Sequence, residues 1–250
     1  MFILGIFLGF STIHESSDPI LHGIGMNTTC PLCSNNVDFV LFDGPDRRTY
    51  HCCDKCSLVF VDKRFLPSRE EEEKRYRHHH NGIENPGYSK FLGQAIESAM
   101  PFLTKEMHGL DYGCGPDPVL SQLLARRGLD CQNYDPIFYP SRPKGTFDFI
   151  FATESFEHFF SPGDELCKIK SLLKPGALLI VMTEKWQSRE AFADWYYARD
   201  ITHVCFFHES SFVFIAEEFK LILMKSDNPR VVIMQNLSAC PDFTGQSPAI

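Results

Sequence analysis

From residue 109 onward, short apolar runs alternate with segments of helical periodicity, and this alternation is the strongest constraint on the fold. The predicted strands are 109–112, 130–134, 147–152 and 177–183, and the predicted helices between them are 118–127 and 162–173. Strands that alternate with helices form open, mostly parallel sheets whose two faces are covered by the helices. The sequence therefore predicts an α/β protein with a Rossmann-like, doubly wound sheet.

The segments flanking this alternation carry weaker patterns. Before it, Ser68 and Glu71 have the spacing of a capping box at the start of a charged, solvated helix, and apolar residues recur with helical period in 88–105. After it, we expect two helices and then a closing pair of strands, at 189–198, 210–217, 220–225 and 231–235.

The N-terminal residues are apolar but match neither a signal peptide nor a membrane span. No Lys or Arg precedes Arg47, and the apolar run of ten residues is about half of the ~20 that a transmembrane helix needs. We therefore expect an extension outside the fold, a zinc-ribbon-like module, a helical connector, the sheet domain and a frayed tail, over 1–25, 26–66, 67–108, 109–238 and 239–250.

Two Cys-x-x-Cys pairs, separated by 19 residues, predict a zinc site. Each pair offers two thiolates from one tight turn, and two such turns complete a tetrahedron. The expected ligands are Cys30, Cys33, Cys53 and Cys56, although the adjacent Cys52 could replace Cys53. Four thiolates leave no open coordination position, so we expect a structural role.

A glycine-rich loop follows the predicted strand 109–112 and precedes a helix. Gly113 and Gly115 allow a sharp turn and a close approach of the backbone to a ligand, and the loop presents helix N-terminal amides. The dinucleotide fingerprint would need a third glycine at position 118, where this chain has Pro118. This substitution disfavours a nicotinamide oxidoreductase.

The run from Asp111 to Gly115 resembles the first motif of class I S-adenosylmethionine-dependent methyltransferases. Asp135 matches the acidic residue that, in this family, accepts hydrogen bonds from the ribose hydroxyls. Residues 147–158 are similar to the fourth-strand motif with its Glu-His signature, and residues 172–181 resemble the family's turn into the fifth strand. The resemblance covers 109–183 and implies S-adenosylmethionine as cofactor, bound by Asp111, Gly113, Cys114, Gly115, Asp135, Pro136, Thr153 and Glu154.

The front module, with Cys-x-x-Cys-Ser-Leu-Val-Phe over 53–60, is also similar to one found ahead of some bacterial methyltransferases. Two features depart from the family pattern. Asp117 stands where a third small residue is usual, and only about a dozen residues separate Asp135 from the fourth strand. The short interval indicates that the usual third strand is missing from the sheet.

Residues that could meet a methyl acceptor follow the fourth and fifth strands, because ligands bind at the carboxyl ends of strands in open α/β sheets. Glu184, Lys185 and Trp186 follow strand five, and the aromatic segment 195–208 is predicted to cover a small acceptor. His203 is the leading candidate for a general base, since an ordinary histidine titrates near neutrality. His158, in the Glu-His pair, is the second candidate.

The formal charge of −8 argues against a large nucleic-acid footprint, which needs excess Lys and Arg. Clustered thiols favour a reducing compartment, so we expect a cytoplasmic protein without a membrane anchor. The favoured function is methylation of a small molecule. A protein or RNA methyltransferase, and a binding protein on a degenerate methyltransferase fold, remain open, as do the acceptor and the oligomeric state.

Overall fold

The computed structural model of the protein describes residues 28–36, 39–77 and 82–237. The expected extension over 1–25 and the expected tail over 239–250 lie outside the described residues. Among the helices in the described ranges, none has both the length and the apolar character needed to cross a bilayer.

The regular elements follow one another in a strand-rich front part and then in strand–helix alternation. The strands are β1 (Val40–Asp43), β2 (Thr49–Cys52), β3 (Val59–Val61), β4 (His108–Tyr112), β5 (Asp130–Tyr134), β6 (Phe147–Thr153), β7 (Leu173–Met182), β8 (Cys205–Phe206), β9 (Leu221–Met224) and β10 (Val231–Asn236). The helices are α1 (Arg69–Arg77), α2 (Pro86–Ala99), α3 (Val119–Ala125), α4 (Pro162–Leu172), α5 (Arg189–Phe192) and α6 (Glu209–Glu218).

A six-stranded sheet in the order β5-β4-β6-β7-β10-β9 forms the main layer. The first four of these strands are mutually parallel, and β10 runs antiparallel to both β7 and β9. Within the described part of the chain, 135–146 contains no strand and makes only a single bridge between Asp135 and Tyr139. The α/β fold class is confirmed, and β5 lies at the sheet edge where a third strand would have paired.

Alternate side chains of the central strands enter two separate apolar layers. Phe149 and Phe151 of β6 pack with α2 and α3, whereas Ile150 and Ala152 pack with α4 and α6. Because β-strand side chains alternate in direction, helices are needed on both faces to bury them. The sheet is therefore doubly wound.

Some element boundaries differ from the predicted ones. Helix α2 ends at Ala99, before Pro101, which lacks the N–H that a continuing helix would use. The predicted helix 189–198 is α5 followed by a 3-10 turn over Tyr196–Arg199, because Trp195 is extended. Phe192, at the end of α5, packs edge-on against Phe42, Tyr50 and Phe206, and this tertiary packing favours the break over a continuous helix.

The front part forms a second sheet in the order β1-β2-β3-β8. Its last strand comes from the C-terminal half of the chain, and Val59 pairs with Phe206 in antiparallel register. Apolar residues of β1–β3 share one core layer with α4 and α6. The cysteine-rich part is thus packed against the segment that leads into α6.

Candidate functional site

A cavity of about 1180 Å³ lies where the parallel strands β4, β5 and β6 end. Asp111 of β4 stands opposite Asn133 of β5 and Phe151 of β6, so the loops that follow these strands leave the sheet at the same edge. Ligands bind at such strand ends in open α/β sheets. This cavity is therefore the candidate site.

The glycine loop borders the cavity and is tied to the end of β5. The backbone N–H groups of Gly113 and Cys114 donate to the carbonyl of Tyr134 at 2.8 and 3.1 Å. Gly113 and Gly115 have φ of +82° and +66°, conformations that suit glycine. A Cβ at Gly113 would lie 2.7 Å from the Cβ of Ser155, whereas one at Gly115 would meet nothing within 4 Å. The close contact with Ser155 explains why position 113 has no side chain. At Gly115 the missing side chain leaves the backbone open to the cavity.

The carboxylate of Asp135 fixes the turn that follows β5. Its Oδ1 accepts from the N–H groups of Ile137 and Phe138 at 2.8 and 3.0 Å, and its Oδ2 accepts from Gly115 N at 3.2 Å. The neighbouring Pro136 also lines the cavity. Asp135 therefore joins the end of β5 to the glycine loop and places a negative charge beside it.

Asp111 is buried at the end of β4 and is not among the lining residues. Its Oδ1 has no hydrogen-bond partner within the described structure. Burial, and next the charge of Asp135, raise the pKa of Asp111 to about 8. An unpaired buried carboxyl group costs free energy that a cationic ligand would recover.

The end of β6 supplies three further polar residues to the cavity wall: Thr153, Glu154 and Ser155. Glu154 has φ of +49°, which is uncommon for a residue with a side chain, and its Oε1 is buried without a partner among the described residues. Burial, and next the charge of Glu157, raise the pKa of Glu154 to about 9. Cys114 also lines the cavity, and burial raises the pKa of its thiol, which does not favour a nucleophilic thiolate.

The two predicted histidines face one another across the cavity wall. The rings of His158 and His203 lie 4.8 Å apart, and both residues line the cavity. His158 Nδ1 contacts the carbonyl of Thr202 at 2.9 Å, and His203 Nδ1 contacts that of Tyr197 at 2.7 Å. Burial and the neighbouring His158 lower the pKa of His203 to about 4, so it is neutral at physiological pH.

The residues that follow β7, the family's fifth strand, do not line the cavity. The expectation that Lys185 and Trp186 meet the acceptor is therefore wrong. Lys185 pairs with Glu209 of α6, and the indole N–H of Trp186 donates to the carbonyl of Ser57 at 3.0 Å. Glu184 accepts from Trp195, Tyr196 and Arg230 and is likewise absent from the lining. In segment 195–208, the lining residues are Tyr196, Tyr197, Arg199, Asp200 and His203.

Helix α1 forms a cavity wall that its sequence did not predict. Arg69, Glu72, Arg75 and Tyr76 line the cavity, so the helix is not simply solvated. Arg75 donates to Asp200 at 2.7 and 3.0 Å, and the ring of Tyr76 lies 5.3 Å from that of His158. The one sequence feature that could have indicated this role is Tyr76, an aromatic residue in an otherwise charged helix.

A buried arginine links the front sheet to the histidine-bearing segment. The guanidinium of Arg48 donates to the carbonyls of Ala198, Asp200, Ile201 and His203 at 2.8 to 3.1 Å. Carbonyl groups taken out of water need such donors. The front sheet therefore fixes the backbone that carries His203.

The four predicted cysteines converge in the front part. The Sγ atoms of Cys30, Cys33, Cys53 and Cys56 all lie within 4.8 Å of one another, and two of the separations are 3.6 Å. Tetrahedral Zn–S bonds of about 2.3 Å would place sulfur atoms roughly 3.8 Å apart. Cys53 rather than Cys52 belongs to this cluster.

Comparison with known families gives a match over much of the chain. A family described as a methyltransferase domain matches residues 78–222, more than half of the chain. No curated protein sequence matches the chain.

Several solved structures are similar to this chain at low sequence identity. A Burkholderia thailandensis 1,6-didemethyltoxoflavin-N1-methyltransferase, solved with 1,6-didemethyltoxoflavin and S-adenosylhomocysteine, is 13% identical, with a TM-score of 0.50 over 77% of this chain and 96% of that one. An Archaeoglobus fulgidus S-adenosylmethionine-dependent methyltransferase is 15% identical, with a TM-score of 0.45 over 68% and 100%. An O-methyltransferase family protein from B. thailandensis is 15% identical, with a TM-score of 0.45 over 67% and 63%.

Proposed function

Because the chain belongs to the family of methyltransferase domains and is a class I S-adenosylmethionine-dependent methyltransferase, we propose that it methylates a small molecule held in the cavity at the strand ends. The observation that carries the proposal is the continuity of this cavity. One space of about 1180 Å³ borders the glycine loop, Asp135 and the facing histidines. Pockets for single drug-sized ligands measure about 300–1,000 Å³, so this cavity has room for a donor and a small acceptor.

The residues at the glycine loop fit the methyl donor. S-Adenosylmethionine carries a sulfonium and an ammonium, and the loop is flanked by Asp111 and Asp135, with Asp111 Oδ1 lacking a partner in the described structure. Gly115 leaves room for a ligand next to the backbone. We propose that Gly113, Cys114, Gly115, Asp135, Pro136, Thr153 and Glu154 hold the donor, whose sulfonium supplies an electrophilic methyl group. Asp111, buried at the end of β4 and outside the lining, would act on the donor's positive charge through its own charge.

The other side of the cavity supplies groups for the acceptor. His158 and His203 each use Nδ1 to donate to a backbone carbonyl, which leaves the Nε2 lone pair for the acceptor or its proton. Tyr197 is held between Glu157 and Thr183 at 2.6 and 3.2 Å. These anchored groups can orient an acceptor towards the donor, which is how positioning lowers a displacement barrier.

The charge of the cavity favours a small molecule over RNA. Its lining contains five Lys or Arg residues and eight carboxylates, the latter being Glu72, Asp117, Asp135, Glu154, Glu157, Asp164, Glu165 and Asp200. RNA binding relies on an excess of cations around the phosphates. The Burkholderia enzyme holds 1,6-didemethyltoxoflavin together with S-adenosylhomocysteine, so the shared fold can accommodate such a pair.

The test follows the methyl group. The protein is incubated with a metabolite-containing cell extract and methyl-tritiated S-adenosylmethionine, and the products are separated by size. We expect label in the low-molecular-mass fraction, absent with the Gly115→Val variant. Label confined to protein or RNA would assign a macromolecular acceptor. Absence of donor binding by calorimetry would favour the binding-protein alternative.

We propose that Cys30, Cys33, Cys53 and Cys56 hold a structural zinc ion. The sulfur separations suit a tetrahedron, and Cys30, Cys53 and Cys56 are buried. The ion would stabilise the front sheet, from which Arg48 supports the segment carrying His203. Zinc-bound thiolates persist in reducing compartments, which supports the proposed cytoplasmic location.

A further inference from the structure

A second cluster of metal-ligand side chains lies in the cavity wall, separate from the cysteines. Ligand atoms of Glu157, His158 and His203 all lie within 4.8 Å of one another. Glu157 and His158 belong to the 3-10 turn after β6, and His203 lies just before β8. The fold thus brings one carboxylate and two imidazoles together from segments more than 40 residues apart.

Both imidazoles are oriented as metal-ligating histidines are. The Nδ1 atoms of His158 and His203 lie 2.9 and 2.7 Å from backbone carbonyl oxygens, which can only accept. Each Nδ1 therefore carries the hydrogen, and each Nε2 keeps its lone pair. In metal sites this outer hydrogen bond fixes the tautomer and the ring orientation. A general base needs one such nitrogen, whereas here two are fixed side by side, with ring centres 4.8 Å apart.

The carboxylate of Glu157, next to the histidines, is also held in place. Glu157 is fully buried, and its two oxygens accept from Tyr197 OH at 2.6 Å and from Thr183 Oγ1 at 2.9 Å. Each oxygen keeps a second lone pair. A carboxylate taken fully out of water is stabilised by a cation beside it.

We propose that Glu157, His158 and His203 bind one divalent transition-metal ion in the cavity wall. Imidazole and carboxylate donors together suit Mn²⁺, Fe²⁺, Co²⁺ or Zn²⁺, whereas the four thiolates of the front part select zinc. His158 and His203 line the cavity, so the remaining coordination positions face the acceptor space.

The metal defines an acceptor class, and this part rests on the proposed methyl transfer. With both Nε2 lone pairs taken up by the ion, neither histidine would act as the base. A hydroxyl oxygen of the acceptor would instead bind the metal and lose its proton to water, because a divalent ion lowers the pKa of a bound hydroxyl. The oxygen then bonds to the methyl carbon as the carbon–sulfur bond breaks, and that electron pair stays on sulfur as the neutral thioether. The substrate class is therefore a small molecule bearing a hydroxyl group.

The test measures metal binding directly on the zinc-loaded, full-length protein. Mn²⁺ is titrated in, and free Mn²⁺ is followed by its electron paramagnetic resonance signal. We expect one Mn²⁺ per wild-type chain, and binding weakened roughly tenfold or more in the His203→Ala and Glu157→Gln variants. His208→Ala is the matched control, because His208 caps α6 and does not line the cavity. Its Mn²⁺ binding should equal that of the wild type.

A second measurement on the wild type does not depend on how the variants fold. Electron spin-echo modulation of bound Mn²⁺ should show nitrogen couplings from directly coordinated imidazole. Mn²⁺ surrounded only by water and oxygen, equal Mn²⁺ binding in all variants, or no uptake of Mn²⁺, Co²⁺ or a second Zn²⁺ would each overturn the proposal. Calorimetry with S-adenosylhomocysteine separates the two proposals: donor binding without metal binding refutes only the metal site, and absent donor binding refutes the methyl-transfer function.

Discussion

Replacing Asp111 by Asn should stabilise the free protein and weaken donor binding. Asp111 is buried with an unpaired Oδ1 among the described residues, and its pKa is raised from 3.8 to about 8. The fold therefore disfavours the charged form, which a bound ammonium or sulfonium would in turn stabilise. Asparagine keeps the shape of the side chain and removes the charge.

The magnitude follows from the pKa shift. At pH 7 the Asp111 carboxyl is ionised in the unfolded chain but protonated in the folded protein. About three pH units separate the unfolded pKa of 3.8 from pH 7, and at ~1.4 kcal/mol per unit this destabilises the folded state by about 4 kcal/mol at most. The asparagine amide of the variant is itself buried with an unmade hydrogen bond, which destabilises the folded state by about 1–3 kcal/mol. The net gain is about 1–3 kcal/mol, and at ~2–4 °C per kcal/mol the melting temperature should rise by roughly 2–12 °C.

The stability difference between the wild type and Asp111→Asn should depend on pH in a definite direction. Because the folded pKa is the higher one, the penalty is absent below pH 3.8 and grows as the pH rises towards 8. Urea unfolding of wild type and Asp111→Asn at several pH values should give a stability difference that widens between pH 5 and 8. Asp227→Asn, a control whose side chain is 93% exposed, should show little change. A pH-independent difference, or donor affinity equal to that of the wild type, would refute the reasoning.

Four further changes probe other parts of the site. Gly115→Val should abolish binding of S-adenosylhomocysteine by calorimetry, because the new side chain occupies the open space beside the loop; unchanged affinity would contradict the loop assignment. Asp135→Ala should weaken the same binding by about 1.5–3 kcal/mol, as expected for loss of a charged hydrogen bond. Arg48→Ala should lower turnover more than donor affinity, because it frees the carbonyls around His203; proportional losses would speak against this link. Cys33→Ser should release zinc in metal analysis, whereas Cys52→Ser should retain it, and the reverse result would exchange their roles.

The sequence predicted the sheet well because that information is local. Strand periodicity fixed β5 at the residues observed, and turn residues placed the glycine loop after β4. The short interval after Asp135 correctly indicated a missing third strand. Each of these features depends on neighbours within a few residues, where pattern and structure are closely related.

Features that depend on tertiary packing were not predictable in the same way. The charges of α1 indicated a solvated helix, yet one face closes the cavity because Arg75 pairs with a distant aspartate. Strand β8 is only two residues long, and its partner β3 is more than 140 residues earlier in the chain. The sequence gives no local sign of such a pairing. Lys185 and Trp186 contact Phe207 and Ser57 next to these paired strands instead of lining the cavity, and for this reason their assignment to the site was wrong.

The most direct test is a crystal structure with S-adenosylhomocysteine. We predict the nucleoside in the cavity, against the backbone of 113–115, with its ribose at Asp135 and its thioether sulfur facing the wall that carries His158 and His203. A cavity that stays filled by protein side chains, or a nucleoside bound elsewhere on the chain, would contradict the account.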